Sequence, residues 1–364
     1  MVSIKKILIA TGGTGGHIFP AYSLAKNFLD QDKDVIVTSD ARGIKYLKDF
    51  PQLKVININS SIIDNKNFFR LIRSIFLIFF SFCKSLFLLL KRKPNLIFGM
   101  GGYSSFPVCL ASKFIGIPFV IYENNLHIGK ANKFLLPFAK KIIVSYAELD
   151  GIPFKYRNKV CEVGNIIREE IIKFPIQSKD KTIKGKLAIL VIGGSQAAQI
   201  FAEKLPDIFE KCLSSNIKLK IFQQCLPAQN NDLENLYKNL NIDYEIFNYS
   251  KSIIKYFSMT DLAITRSGSS MLAELLNARI PFISVPLPSS ADNHQLKNAI
   301  YYEKKGYSYL IEEKHLTTRL FDLIKKINDE KLLDQIIKTQ AQYSDKSVYK
   351  NVNNIINEII NEKY

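Results

Sequence analysis

Short apolar runs alternate with longer stretches of helical pattern through the first half of the chain. The runs are Ile7–Ala10, Val35–Thr38, Leu96–Phe98, Phe119–Tyr122 and Ile142–Val144. Each is brief, lacks polar alternation and is bounded by turn residues, the pattern of a parallel strand buried on both faces. A βαβα rhythm leaves few topologies open and predicts a doubly wound sheet with helices on both sides. The rhythm restarts after residue 180, with strands expected at Leu187–Ile192, Leu219–Gln223, Asp243–Phe247, Leu262–Thr265 and Phe282–Val285. The expected fold class is therefore α/β, with two Rossmann-like doubly wound domains facing an interdomain cleft. A length of 364 residues suits two domains. The polar, Lys-rich stretch Gly164–Gly185 reads as a linker. The expected domains are 1–163 and 164–340, with a C-terminal helix in 341–364 that can pack back on the first.

Hydrophobic residues at 47% and charged residues at 23% exclude a disordered chain. Fifty Lys and Arg against 33 Asp and Glu leave a formal charge of +17, which favours a polyanionic partner: nucleic acid, an anionic membrane or a phosphorylated substrate. Nucleic acid is disfavoured, because neither a recognition helix nor basic residues interleaved with aromatics on a sheet is visible. The five cysteines have no metal-ligand or redox spacing and fit a reducing compartment. The N-terminal run Ile7–Ala10 is too short for a secretion signal and reads as a first strand.

The most apolar segment is Ile75–Leu90, IFLIFFSFCKSLFLLL. It is shorter than the roughly 20 residues a membrane span needs, and Lys84 interrupts it. At 100° per residue, Lys66, Arg70, Arg73, Lys84 and Lys91 fall within about 60° of one another. Ser74, Ser81 and Ser85 border that stripe, and Phe, Leu and Ile fill the rest. Such a helix can lie in a membrane interface through Arg70, Arg73, Ile75, Phe79, Phe82 and Lys84. The alternative is a helix packed on the sheet by its apolar face, with the basic stripe toward water.

Three glycine turns follow expected strands. The first, Thr11-Gly12-Gly13-Thr14-Gly15-Gly16-His17, leads to a helix expected near Pro20. The second is Gly99-Met100-Gly101-Gly102-Tyr103-Ser104-Ser105, and the third is Gly193-Gly194-Ser195-Gln196. Glycine lets the backbone approach a ligand, and a helix N-terminus following it suits phosphate. Neither G-x-G-x-x-G nor a P-loop is present, so a nicotinamide enzyme and a P-loop NTPase both lose ground. Three such turns over two domains point to a ligand-lined cleft. In the second half, Arg266-Ser267-Gly268-Ser269-Ser270-Met271-Leu272-Ala273-Glu274 reads as strand, turn and helix. Glu274 falls in the second helical turn, where a carboxylate can accept both hydroxyls of a ribose. Asp292-Asn293-His294-Gln295 supplies the mixed donors and acceptors that sugar hydroxyls need. Asp30-Gln31-Asp32 has the D-x-D form of some manganese sites but reads as a solvated helix end.

Taken in order, TGGTGGHIFPA (Thr11–Ala21), GMGGYSSFP (Gly99–Pro107), Glu123-Asn124-Asn125 with Gly129–Asn132, Gly164–Arg168, GGSQ, RSG–AE and DNHQ–NA resemble the MurG family of GT-B glycosyltransferases. The family usually has His where Tyr122 stands. The resemblance implies inverting transfer of GlcNAc from UDP-GlcNAc to lipid I, forming lipid II, with no cofactor and no metal. It implies that Ser195, Gln196 and Arg168 hold the donor diphosphate. Glu274 would take the ribose, and the backbone around Ser250 the uracil. His294, Gln295, Thr14, Gly15, Gly16 and Asn125 would lie by the donor sugar. The acceptor pyrophosphate would meet Gly13, Gly101, Gly102, Tyr103 and Ser104. His17 is the leading candidate for the general base and Glu123 the second. Implied partners are UDP-GlcNAc, lipid I, the anionic cytoplasmic face of the bacterial inner membrane, and other cell-wall synthesis and division proteins. Another GT-B enzyme on a different glycolipid, a sugar-nucleotide epimerase and a non-catalytic membrane-surface protein are the competing readings.

Overall fold

The computed structural model describes residues 5–13, 15–61, 67–174, 185–194, 198–250, 252–330 and 332–361. Two compact units divide the chain. The first holds residues 1–168 and 345–364, and the second holds 169–344.

The first unit carries β1 (Lys6–Ala10), β2 (Asp34–Ser39), β3 (Lys54–Asn57), β4 (Leu96–Gly99), β5 (Phe119–Glu123), β6 (Lys141–Val144) and β7 (Val160–Glu162). Its helices are α1 (Gly15–Leu29), α2 (Ala41–Leu47), α3 (Phe68–Arg92), α4 (Ser105–Phe114) and α5 (Lys130–Leu135). The sheet is parallel, in the order β3-β2-β1-β4-β5-β6-β7. The interiors of the central strands are apolar because helices cover both faces; Ile7, Leu8, Ile9, Ile97 and Phe98 are fully buried. The flanking strands β3 and β7 escape a reading based on apolar runs, since their residues are exposed or half-buried. Helix α1 begins at Gly15, ahead of Pro20 rather than near it.

The second unit carries α6 (Glu169–Ile172), β8 (Leu187–Ile192), α7 (Gln199–Ser214), β9 (Leu219–Gln224), α8 (Asn230–Asn239), β10 (Asp243–Phe247), α9 (Ile254–Phe257), β11 (Leu262–Thr265), α10 (Ser269–Asn277), β12 (Phe282–Ser284), α11 (His294–Lys304), β13 (Tyr309–Leu310), α12 (Leu316–Asp329) and α13 (Leu332–Gln340). Its parallel sheet runs β10-β9-β8-β11-β12-β13. The stretch expected to be a linker thus contains α6, which belongs to this unit.

The last helix, α14 (Val348–Asn361), returns to the first unit. Val348, Val352, Ile355, Ile356 and Ile359 are buried along one face. Polar ties fix its approach. The buried Asp345 carboxylate accepts the Asn165 amide at 2.8 Å, and the Tyr349 hydroxyl donates to the Ile167 carbonyl at 2.6 Å.

Candidate functional site

In a doubly wound sheet, ligands gather where the strand order reverses, beyond the carboxyl ends of the two central strands. In the first unit those strands are β1 and β4, and the first two glycine turns follow them. The turns interlock. A Cβ on Gly102 would lie 2.7 Å from the Gly12 carbonyl oxygen, and one on Gly12 would collide with Ser104 Oγ. A Cβ on Gly101 would sit 2.9 Å from both Nδ1 and Cε1 of His17. The imidazole therefore rests against the second turn, at the first turn of α1. Gly13, Gly101 and Gly102 have φ of +87°, +83° and +77°, a region other residues enter at a cost. The Thr11 hydroxyl donates to the His17 carbonyl at 3.1 Å, and Asn124 donates to the Gly16 carbonyl at 2.8 Å. Ser104 is buried beside Gly12, Tyr103 is half-buried, and Gly15 is buried in α1. Thr14 lies outside the described residues.

Asp40, at the end of β2, anchors the first turn. Its Oδ1 accepts the Gly13 amide at 3.1 Å and the Gly43 amide at 2.9 Å, capping α2. Arg42 donates to Oδ2 through Nε and Nη2 at 3.1 and 2.9 Å. Burial pushes the Asp40 carboxyl upward, but the Gly43 and Gly13 amides and the Arg42 guanidinium outweigh it and hold it below its ordinary value.

Glu123 ends β5 and is buried. Its carboxylate accepts the Asn125 amide at 3.2 Å and side chain at 3.0 Å, the Gly129 amide at 2.9 Å and Asn132 Nδ2 at 3.0 Å. Such a carboxylate organises the 123–132 loop. Its lone pairs are committed there, which is unlike the general base expected as the second candidate. The Asn125 amide group is likewise spent on Glu123 and Asn124 Oδ1. The Arg168 guanidinium lies 5.9 Å from the Phe19 ring centroid, within the first unit.

Helix α3 inverts the packed-core expectation. Its buried face is the serine edge: Ser74, Ser81, Ser85, Leu88 and Leu89. The three hydroxyls donate to carbonyls of their own helix, at Leu71, Leu77 and Ser81. With the hydroxyls satisfied locally, the small side chains let α3 pack closely on α4. The aromatic face is left outside, with Phe69 83% exposed and Phe76, Phe79 and Phe80 all above 60%. Ile75 is exposed and Phe82 is half-buried, edge-on to Phe114 at 5.3 Å. Arg70, Arg73 and Lys84 are exposed, while Lys66 lies outside the described residues. At 25 residues α3 is long and apolar enough to cross a bilayer, but its serine face is committed to the fold.

In the second unit the order reverses between β8 and β11. The third glycine turn follows β8, with Gly194 at φ +79°; Ser195 and Gln196 lie outside the described residues. After β11, Arg266 is buried, stacks 5.1 Å from Phe201, donates to the Val285 and Pro286 carbonyls and pairs with Glu313. Glu274 is buried in the second turn of α10. Asn298 Nδ2 donates to the Ser267 carbonyl at 3.2 Å. Gln295 Oε1 accepts the Leu287 amide at 3.0 Å, so its amide nitrogen is the end directed elsewhere. His294 is half-buried, with Nδ1 2.8 Å from the Ala291 carbonyl. Before it, Asp292 and Asn293 both adopt φ near +50°, which short polar side chains tolerate. Ser250 is half-buried beyond β10. Asn248 fixes that segment by donating to the Cys225 carbonyl and Asn230 Oδ1 at 3.0 and 2.8 Å. Asp40, Arg42, Asn248 and Glu313 were not singled out from sequence. Only the position of Asp40 just after an expected strand could have drawn attention to it.

Residues 7–144 match the glycosyltransferase family 28 N-terminal domain, and residues 188–355 its C-terminal domain. A Pelagibacter ubique protein is 35% identical over 98% of this chain and 99% of its own length. It is named UDP-N-acetylglucosamine–N-acetylmuramyl-(pentapeptide) pyrophosphoryl-undecaprenol N-acetylglucosamine transferase. The crystal structure of Acinetobacter baumannii MurG superposes with a TM-score of 0.78, at 23% identity, over 97% of this chain and 99% of that one. A UDP-GlcNAc 2-epimerase from Neisseria meningitidis, bound to UDP-GlcNAc, gives 0.65 at 14% identity over 97% and 100%. These last two likenesses carry the fold alone; the family matches and the full-length identity carry membership. The chain belongs to glycosyltransferase family 28, and within it to the MurG family.

Proposed function

We infer that this protein transfers GlcNAc from UDP-GlcNAc to the MurNAc 4-hydroxyl of lipid I, forming lipid II. The observation that carries this is 35% identity over 98% of the chain to a transferase of that name, with both family 28 domains matched in order.

The residue roles are those the family resemblance implies, read against the chemistry of the reaction. A single displacement that inverts the anomeric carbon needs a base on the acceptor hydroxyl and stabilisation of the departing UDP. His17 is the base in this reading: an imidazole is suited to proton transfer near neutral pH, and Gly101 fixes its ring. Glu123 acts as a positioning residue for the 123–132 loop. Gly101, Gly102, Tyr103 and Ser104 receive the acceptor diphosphate, and Gly13, its own amide held by Asp40, shapes the turn beside them. In the second unit, Glu274 takes the ribose hydroxyls and the segment at Ser250 the uracil. Gln295 and His294 meet the donor sugar, with Thr14, Gly15, Gly16 and Asn125 assigned to the same substrate. Ser195 and Gln196 hold the donor diphosphate by hydrogen bonds, and Arg168 offsets its charge. The exposed aromatic face of α3, flanked by Arg70, Arg73 and Lys84, supports peripheral attachment to the cytoplasmic face of an anionic inner membrane. Other cell-wall synthesis and division proteins are the further partners this setting implies.

The test is transfer of labelled GlcNAc from UDP-GlcNAc to a short-chain lipid I analogue by purified protein with EDTA present. Transfer is the expected result. Release of UDP only with a different glycolipid would move the acceptor assignment, and failure to bind any UDP sugar would overturn the glycosyltransferase reading.

A further inference from the structure

Arg42 is not accounted for by the roles above. Its side chain is 63% exposed, yet it is held in one place by a two-nitrogen fork on Asp40 Oδ2. Asp40 itself is nearly buried and is answered on its other oxygen by the Gly13 and Gly43 amides. The fork uses Nε and Nη2, while Nη1 makes no hydrogen bond among the described residues. Nη2 lies 3.9 Å from where a Cβ on Gly13 would project. The guanidinium therefore borders the first glycine turn, with donors left over.

We propose that Arg42 binds the diphosphate of the lipid-linked acceptor, and that Asp40 is the positioning residue that sets both the guanidinium and the Gly13 turn. This rests on the acceptor being bound by the first unit. A guanidinium matches phosphate oxygens with several N–H donors in one plane, and here one carboxylate has already fixed that plane. Asp40 adds little repulsion toward an incoming anion, because amides and Arg42 already occupy its oxygens. Asp40 also takes the Gly13 amide out of the pool of phosphate donors, which leaves the Arg42 guanidinium as a charged donor bordering that turn. The same chemistry could serve an anionic phospholipid headgroup or the donor's own diphosphate, so the test separates the three.

The experiment is steady-state kinetics of R42Q and R42K with a water-soluble short-chain lipid I analogue, without vesicles. Binding of each variant to phosphatidylglycerol vesicles is measured alongside. For R42Q the acceptor KM rises roughly tenfold, as expected for losing a charge-assisted contact. KM for UDP-GlcNAc and vesicle binding stay at wild-type values, and R42K recovers part of the loss. The double variant D40N/R42Q raises acceptor KM by less than the product of the two single-variant effects, because the part of Asp40's role that passes through Arg42 is already lost in R42Q. An unchanged acceptor KM overturns the proposal. A rise confined to the donor KM reassigns the contact to UDP-GlcNAc, and weakened vesicle binding alone reassigns it to phospholipid; each overturns it too. If the wild-type enzyme transfers nothing to lipid I, the proposed function fails first and takes this assignment with it.

Discussion

The two units share one strand order. Counted from its own first strand, each sheet runs 3-2-1-4-5-6, and the first unit adds a seventh strand at the far edge. Their cores are built alike, from apolar central strands covered by helices. What differs is at the ends of the strands and on the helices outside. In the first unit two glycine turns interlock around His17, and the helix after β3 shows its aromatic face to the exterior. In the second unit the reversal point holds one glycine turn and a buried carboxylate, Glu274. Among the described residues, every exposed large hydrophobic side chain except Leu236 and Tyr249 belongs to the first unit. One scaffold thus carries two different sets of turns and outer faces, because loops and surfaces can vary while the sheet stays fixed.

The sharpest way to break that division is at His17. If proton transfer belongs to the first unit and donor binding to the second, His17→Ala lowers kcat by about 10²–10⁴-fold. The affinity for UDP-GlcNAc, measured by calorimetry, stays unchanged. A parallel loss of donor affinity would show that the imidazole serves binding and would dissolve the contrast.

The outer face of α3 gives the next largest effect. Phe79 and Phe80 are each 62% exposed. Burying a Phe is worth about 1.5–3 kcal/mol, so Phe79→Glu with Phe80→Glu lowers partition onto anionic vesicles by roughly a hundredfold or more. Turnover of a water-soluble acceptor falls far less. Equal losses in both assays would mean that this face acts in folding rather than at a membrane. The complementary change in the second unit is Glu274→Gln. It raises KM for UDP-GlcNAc roughly tenfold by weakening charge-assisted hydrogen bonds to the ribose, with acceptor KM unmoved. A rise in acceptor KM instead would place that carboxylate in the wrong unit's chemistry.

How much of this was legible in the sequence follows from burial. The central strands β1, β4, β5, β8 and β11 are apolar along nearly their whole length, with Lys6, Glu123 and Thr265 only at strand ends, so short apolar runs announce them. The edge strands β3 and β7 have no such signal, because half-buried residues are free to be polar. The glycine turns were visible as composition, but their interlocking was not, since it pairs residues about 90 positions apart: Gly12 with Gly102, and His17 with Gly101. The amphipathic reading of α3 found the right stripes and left open which one faces the core. Spacing cannot decide that, since a serine edge with locally satisfied hydroxyls packs as well as an apolar one. In the sequence, Glu123 stands out only through the family resemblance, as the second base candidate. Its four donors all come from residues within nine positions, and only coordinates show that it is already saturated.

The smallest expected effect concerns how β5 supports its end of the site. Tyr122, buried beside Glu123, shares a hydrogen bond with Ser145 Oγ at 2.8 Å and accepts the Ile166 amide at 2.9 Å. Burial pushes its phenol well above the ordinary value, so it stays a neutral hydroxyl at any working pH. Through Ile166 it ties the strand end to the segment that ends in Arg168. Tyr122→Phe keeps the ring and strands a buried amide, which costs about 1–3 kcal/mol. Chemical denaturation should show this as a lower midpoint at an unchanged m-value. Since the hydroxyl touches no substrate in this reading, kcat and both KM values move less than stability does. A stability loss with unchanged kinetics keeps Tyr122 a scaffold residue. A selective rise in donor KM would instead mean that the hydroxyl works through Arg168, the charge the first unit is proposed to lend to the donor diphosphate.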